Sequence, residues 1–308
     1  MEDNVNILDR ESFLEKYHLS KCFSRSGLQW DVLQQIYSDY QGKLVDVKDK
    51  CNQLEEHCRK SLSSDNITFH SIRCRPKDSE HLIEKIIRKR GKEQSAKYKG
   101  IDANNYMDII QDLIGLRILV IKKEDWEIIF DKLVQMFPMN TRVNCYMVEK
   151  PVAYIRYGDR DIYKDKINKE YSNKDYRSQH YIIKFCGYFC EIQVRTLAEE
   201  VYGEFDHLVK YPYRNDNNFL MRYTNTLSKL TNAIDEMMST CFQMNESGWE
   251  ANALYFDEDR YENWSKTSQR IVPESKCEKA KLETDSKSET PINIRQRASD
   301  ILLRKENR

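Results

Sequence analysis

The chain has 308 residues, 32% of them charged, and its 50 basic and 50 acidic side chains cancel to a formal net charge of zero. No global field therefore draws it to nucleic acid or to a membrane surface, and no apolar run approaches the roughly 20 residues that a membrane helix needs. The first ten residues carry acids and no apolar signal core, so a cytoplasmic location is expected; the nine cysteines, none in a Cys-x-x-Cys pair, read as reduced thiols.

In chain order, residues 1–25 read as an N-terminal arm, followed by a central domain over 26–248. A long helix is predicted from Trp30 to Ser61, because Leu33, Tyr37, Tyr40, Leu44, Val47, Cys51 and Leu54 recur at three- and four-residue steps. A short β-compatible segment, 66–75, leads into Arg75-Pro76-Lys77, and a helix over 78–90 turns Leu82, Ile83, Ile86 and Ile87 one way. After a polar loop, a helix over 105–114 is expected to stop at Gly115, with a strand beyond it. A helix over 123–137, a polar loop with strand fragments over 151–175, and a hairpin of 176–185 and 188–196 around Gly187 come next. Helices are expected over 197–209 and 218–243, then a polar linker and a short C-terminal helix within 249–308. Helices, then a mixed β-sheet flanked by helices, then helices again define an α+β chain.

The chemistry concentrates in Glu191-Ile192-Gln193-Val194-Arg195-Thr196. Alternate side chains of a strand share a face, so Glu191, Gln193 and Arg195 line up on one side while Ile192 and Val194 enter the core. Asp112 and Arg117 supply a second acid and a second cation beside another apolar strand. Two carboxylates among fixed cations suit a metal–polyphosphate site. With only nine glycines, and neither Gly-x-x-x-x-Gly-Lys-Ser/Thr nor Gly-x-Gly-x-x-Gly, side-chain cations rather than a glycine-rich loop must hold any nucleotide. Lys77, His81, Lys85 and Lys89 fall at four-residue steps, which fits either a solvated cationic helix face or a phosphate-binding one.

Taken in order, these motifs resemble the RelA/SpoT-type alarmone synthetases, over about residues 65–212. Arg75-Pro-Lys77 with Lys85 is similar to the family's ATP motif, and Asp112-Leu-Ile-Gly-Leu-Arg117 to its metal motif. Tyr176-Arg-Ser-Gln-His180 is similar to its acceptor loop. Glu191-Ile-Gln-Val-Arg195-Thr, with Asp206-His207 and Tyr211, completes the series. The resemblance implies a nucleotidyltransferase-like fold and a small single-domain, Mg²⁺-dependent pyrophosphokinase. Such an enzyme moves the β,γ-pyrophosphate of ATP to the 3′-hydroxyl of GDP or GTP, makes (p)ppGpp and releases AMP. It assigns Asp112 and Glu191 to the metal, and Arg75, Lys77, Lys85 and Arg117 to ATP. Tyr176, Gln193 and Arg195 go to the acceptor, and Asp112, Glu191, Arg117 and His180 to catalysis.

The sequence departs from the family mainly in the acceptor half. Asp175 stands where a glycine is usual, Gln179 where a leucine is, and Tyr202 and Asp206 replace a tryptophan and a longer acid. A carboxylate at 175 repels acceptor polyphosphate, which keeps open a toxin-like tRNA 3′-end pyrophosphokinase that blocks translation, and beside it an inactive nucleotide sensor. The six histidines include no His-Asp dipeptide, so no hydrolase domain is expected. A loop over 157–174 could gate the acceptor. The terminal helix, with Ile294, Ala298, Ile301 and Leu302, could dock on its own domain or on a partner protomer in a homo-oligomer.

Overall fold

The computed structural model describes residues 8–65, 67–91, 96–139, 143–156, 162–163, 165–172, 176–210 and 217–246. Asp175, Tyr211, residues 157–161, 164 and 173–174, and the whole segment 249–308 lie outside the described residues, and with them the expectations that fall there. The described residues all belong to one compact unit, Met1–Trp249.

Among the described residues, seven strands form one mixed sheet: β1 (Ser71–Pro76), β2 (Ile114–Val120), β3 (Cys145–Met147), β4 (Val152–Ile155), β5 (Asn168–Tyr171), β6 (Ser178–Phe185) and β7 (Tyr188–Thr196). Their spatial order is β1-β2-β7-β6-β4-β5, with β3 on β6. The β2–β7 and β4–β5 pairs are parallel and the other pairs antiparallel. The expected hairpin closes through Cys186 and Gly187, both at positive φ (48° and 93°), the backbone that a two-residue turn between twisted strands requires.

Eight α-helices accompany the sheet among the described residues: α1 (Arg10–Lys16), α2 (Ser20–Ser26), α3 (Trp30–Ser64), α4 (Ser79–Arg90), α5 (Tyr106–Ile109), α6 (Trp126–Met136), α7 (Leu197–Lys210) and α8 (Asn218–Glu246). The apolar stripe read along α3 is the stripe it buries, with Leu33, Val47, Cys51 and Leu54 in one core with Ile72, Leu116, Ile118, Ile192 and Val194. Within the segment 1–25 read as an arm, the described residues run through α1 and into α2, and Phe13, Tyr17 and Leu19 join that core.

One local expectation is corrected. The helix predicted over 105–114 is a single turn, α5, and Gly115 does not end it: Gly115 lies inside β2, paired with Arg75 on one side and Glu191 on the other. Ile114, Leu116 and Ile118 are fully buried, and burying this alternation in the sheet outweighs the local helical pattern.

The edge strand β1 is covered from behind. Glu55 on α3 accepts a hydrogen bond from the Cys74 amide (2.9 Å), and Arg59 donates to the Ile72 carbonyl (3.0 Å) while pairing with Glu55 at 2.8 Å. Side chains of one helix thus satisfy a row of strand groups that would otherwise stay open. The Tyr40 hydroxyl donates to the Lys77 carbonyl at 2.9 Å, which fixes the chain where β1 turns into α4.

Candidate active site

The strand alternation splits the sheet into two chemistries. Cys190, Ile192, Val194 and Thr196 of β7 are buried, whereas Glu191, Gln193 and Arg195 are only half-buried on the opposite face. The register carries this face across the sheet: Gly115 pairs with Arg75 and Glu191, Arg117 with Arg73 and Gln193, and His180 with Gln193. Period-two strands thereby gather arginines, an acid, an amide and an imidazole from four strands onto one surface.

A cleft of about 450 Å³ opens there, lined among others by Arg75, Lys77, Asp112, Arg117, Glu191 and Gln193. Asp112 sits just before β2 and is held by two lysines, with Lys77 Nζ 2.8 Å from Oδ2 and Lys85 Nζ 2.7 Å from Oδ1. Asp78 caps α4 by accepting from the His81 amide (2.9 Å), so the helix starts where Lys85, two turns on, meets Asp112. Burial alone would raise the Asp112 carboxyl, but the two ammoniums outweigh it and hold it down at about 2. Lys77 precedes α4, so only Lys85 of the two acts from the helix face.

Glu191 is built in the same manner. His180 Nδ1 lies 2.8 Å from Oε1, and the Gln193 amide donates to Oε2 at 2.8 Å. Burial opposes its charge, and the His180 contact prevails, so the carboxyl lies below its ordinary value. His180 Nε2 and Gln193 Oε1 are enclosed and make no hydrogen bond among the described residues. Enclosed polar atoms of this kind call for a partner from outside the chain.

Tyr176 and Arg195 do not line this cleft. They stand further along the same face, with the Arg195 guanidinium 5.7 Å from the Tyr176 ring centre. Arg195 Nε donates to Ser178 Oγ at 3.1 Å. Tyr176 is stacked on Tyr154 at 6.0 Å, and the Tyr154 edge meets His180 at 4.8 Å, so an aromatic wall runs from Tyr176 back to the His180–Glu191 pair. Burial pushes the Tyr176 hydroxyl up to about 12, so it stays protonated.

Sequence reasoning missed the acids opposite Arg117. The guanidinium pairs with Glu200, 2.5 Å away, and with Glu204, both on α7, and not with Asp112. The available signal was their four-residue spacing directly after Thr196, which places both on one helix face. Arg73 and Tyr154 were also unassigned, and only the register of β1 and β4 brings them to the site. His207 meets His81 at 6.4 Å between ring centres.

Fold and site together define an α+β protein of the small alarmone synthetase fold. The chain aligns with the crystal structure of small alarmone synthetase 1 from Bacillus subtilis at a TM-score of 0.50 and 20% identity, over 68% of this chain and 98% of that one. A GTP pyrophosphokinase family protein from Streptococcus pneumoniae aligns at a TM-score of 0.47 and 20% identity, over 80% and 97%. No curated protein matches the chain by sequence. Residues 74–216 match the model of the region found in RelA / SpoT proteins.

Proposed function

We propose that the chain is a pyrophosphokinase of the (p)ppGpp synthetase type, moving the β,γ-pyrophosphate of ATP to the 3′-hydroxyl of GDP or GTP with release of AMP. The observation that carries this reading is the shared cleft of Asp112 and Glu191, two acids kept ionised among Lys77, Lys85, Arg75 and Arg117. Pyrophosphoryl transfer calls for charge neutralisation and alignment more than for covalent help.

Mg²⁺ prefers one or two carboxylates completed by phosphate oxygens and water. The donor set fits: Asp112 and Glu191 line the cleft together, and among the described residues no larger His/Cys/Asp/Glu cluster competes as a metal site. When bound there, the ion would neutralise charge on the transferred group. Lys77 and Lys85 then exchange part of their hold on Asp112 for donor phosphate oxygens. Arg75, on β1, offers a planar guanidinium for the adenine, and Arg117 a forked donor for phosphate. Glu191, ionised and steadied by His180, is placed to accept the proton of the attacking hydroxyl. Tyr176 receives the acceptor base on the aromatic wall, with Arg195 beside it and Gln193 between acceptor and Glu191.

The test follows label from γ-³²P-ATP with Mg²⁺ into GDP, GTP, ATP and deacylated tRNA offered in parallel. Label in a guanine nucleotide with AMP released is the expected result. Label in tRNA alone would replace the acceptor assignment, and ATP binding without transfer would leave a nucleotide sensor.

A further inference from the structure

The two acids of α7 that meet Arg117 are one helical turn apart and are not equivalent. The Glu200 side chain is 13% exposed, and its carboxylate spans two cations, with Oε1 2.5 Å from Arg117 Nη1 and Oε2 3.4 Å from Arg195 Nη1. Glu204 meets the same Arg117 nitrogen, but its side chain is 58% exposed. Its carboxyl is held below the ordinary value by Arg117 first, with Arg75 and His207 adding to the effect.

A guanidinium presents one donor fork to carboxylate and phosphate alike. Phosphate arriving at Arg117 must therefore compete with whichever acid already holds it. Releasing Glu204 costs little, because it is largely in water and an exposed ion pair is weak. Releasing Glu200 would break contacts to two guanidiniums in a partly enclosed place, leaving both poorly compensated. The exposed acid yields and the enclosed one stays.

We propose that α7 acts on the cleft through two acids of opposed duty. Glu200 is a positioning residue that fixes Arg117 and Arg195 in one frame, and Glu204 is a counter-ion that an incoming donor phosphate displaces. The inference rests on the pyrophosphokinase reading, since it concerns how that site receives its donor. Glu200 joins a cation assigned to the donor to a cation assigned to the acceptor, so the spacing of the two substrates passes through a single carboxylate. Glu204 keeps Arg117 extended and charge-balanced in the absence of donor, and favours ligands whose anions can outcompete a carboxylate: a polyphosphate before a monophosphate, and either before a nucleoside.

Glu200→Gln and Glu204→Gln in the full chain separate the two duties, because the predicted effects differ in kind. In Glu204→Gln the ATP concentration for half-maximal rate, and the directly measured ATP dissociation constant, fall roughly two- to fivefold, the scale of one exposed charge contact. In Glu200→Gln turnover falls roughly tenfold or more, because a misplaced pair of binding groups is costly in rate, and ATP binding does not tighten. Glu204→Gln should unfold at the wild-type temperature, and Glu200→Gln cooperatively but at a lower one. Should Glu200→Gln fail to fold, Glu204→Gln alone decides, since unchanged or weaker ATP binding there overturns the proposal. A wild type that transfers pyrophosphate while both variants shift ATP binding in the same direction overturns only the division of labour on α7. A wild type that neither binds ATP nor transfers overturns the pyrophosphokinase reading and this inference with it.

Discussion

Gly203 lies beneath the guanidinium of Arg195, so close that a Cβ on the glycine would stand 2.6 Å from Arg195 Nη1. Glycine inside a helix costs about 1 kcal/mol relative to alanine, yet α7 carries one at its middle. The space it leaves lets Arg195 cross the helix and reach Glu200, Ser178 and the Tyr176 ring together. Gly203→Ala should therefore hold or raise the unfolding temperature while it weakens acceptor use severalfold, because Arg195 must swing away. Thermal unfolding beside acceptor titrations at saturating ATP measures both. Unchanged acceptor kinetics would show that the position of Arg195 is not what the glycine protects.

The clamp on Asp112 makes a second prediction. With its carboxyl held at about 2 against about 3.9 when unfolded, Asp112 contributes stability that is complete above pH 4 and is lost as pH falls through about 2. Asp112→Asn should flatten the acid side of the stability curve. It should also cost roughly 1–3 kcal/mol near neutrality, because Lys77 and Lys85 keep their charges and lose the acid between them. Transfer should be abolished while unfolding stays cooperative. An Asp112→Asn protein with full activity would remove this acid from the proposed metal site.

Glu199 predicts the opposite pH trend. It is 1% exposed, 2.8 Å from Arg156, and it accepts the Arg177 amide at 3.0 Å; burial still pushes its carboxyl up to about 7. A carboxyl that folds protonated but ionises at about 4.3 when unfolded lowers stability progressively as pH rises from there to about 7, with no further loss beyond. Glu199→Gln should remove that component. Denaturant unfolding at several pH values between 4 and 8 would decide it, and a wild-type curve no steeper than that of Glu199→Gln would mean the acid is ionised throughout.

The sheet and the central residues of the site were legible because a period of two fixes the face of each strand side chain. Once Ile192 and Val194 are assigned to the core, Glu191, Gln193 and Arg195 have only the other face to occupy. Helix α8 was legible as a helix, but its buried side was not. It buries Thr224, Ser228, Thr231, Asp235 and Ser239, while Leu230, Ile234 and Met237 are exposed. An apolar stripe would have oriented it the wrong way round. The reason is a long-range pairing: Asp235 lies 3.0 Å from Arg177 Nη1 and accepts from Thr196 Oγ1 at 3.0 Å, and Asn232 accepts from Arg177 Nη2 at the same distance. Arg177 is 3% exposed and needs those acceptors. Local sequence carries no sign that a residue fifty-eight positions away supplies the counter-charge. Glu200 and Glu204 escaped notice on the same ground, since their partner Arg117 lies on a distant strand.

Tyr176 gives the last prediction, because its surroundings separate stacking from hydrogen bonding. Its ring has Tyr154 stacked at 6.0 Å and the Arg195 guanidinium 5.7 Å away, and its hydroxyl titrates only near 12. A ring steadied by a neighbouring aromatic and a nearby cation is suited to stack with an acceptor base, which contributes roughly 1–3 kcal/mol. Tyr176→Phe keeps that face and should leave acceptor use close to wild type. Tyr176→Ala removes it and should raise the acceptor concentration for half-maximal rate by about tenfold, the lower part of that range, with ATP binding unaffected. Steady-state rates over an acceptor series at fixed ATP, with ATP binding measured apart, distinguish the cases. If Phe and Ala lose acceptor use equally, the hydroxyl is the working group; if neither loses any, the acceptor base rests elsewhere on this face.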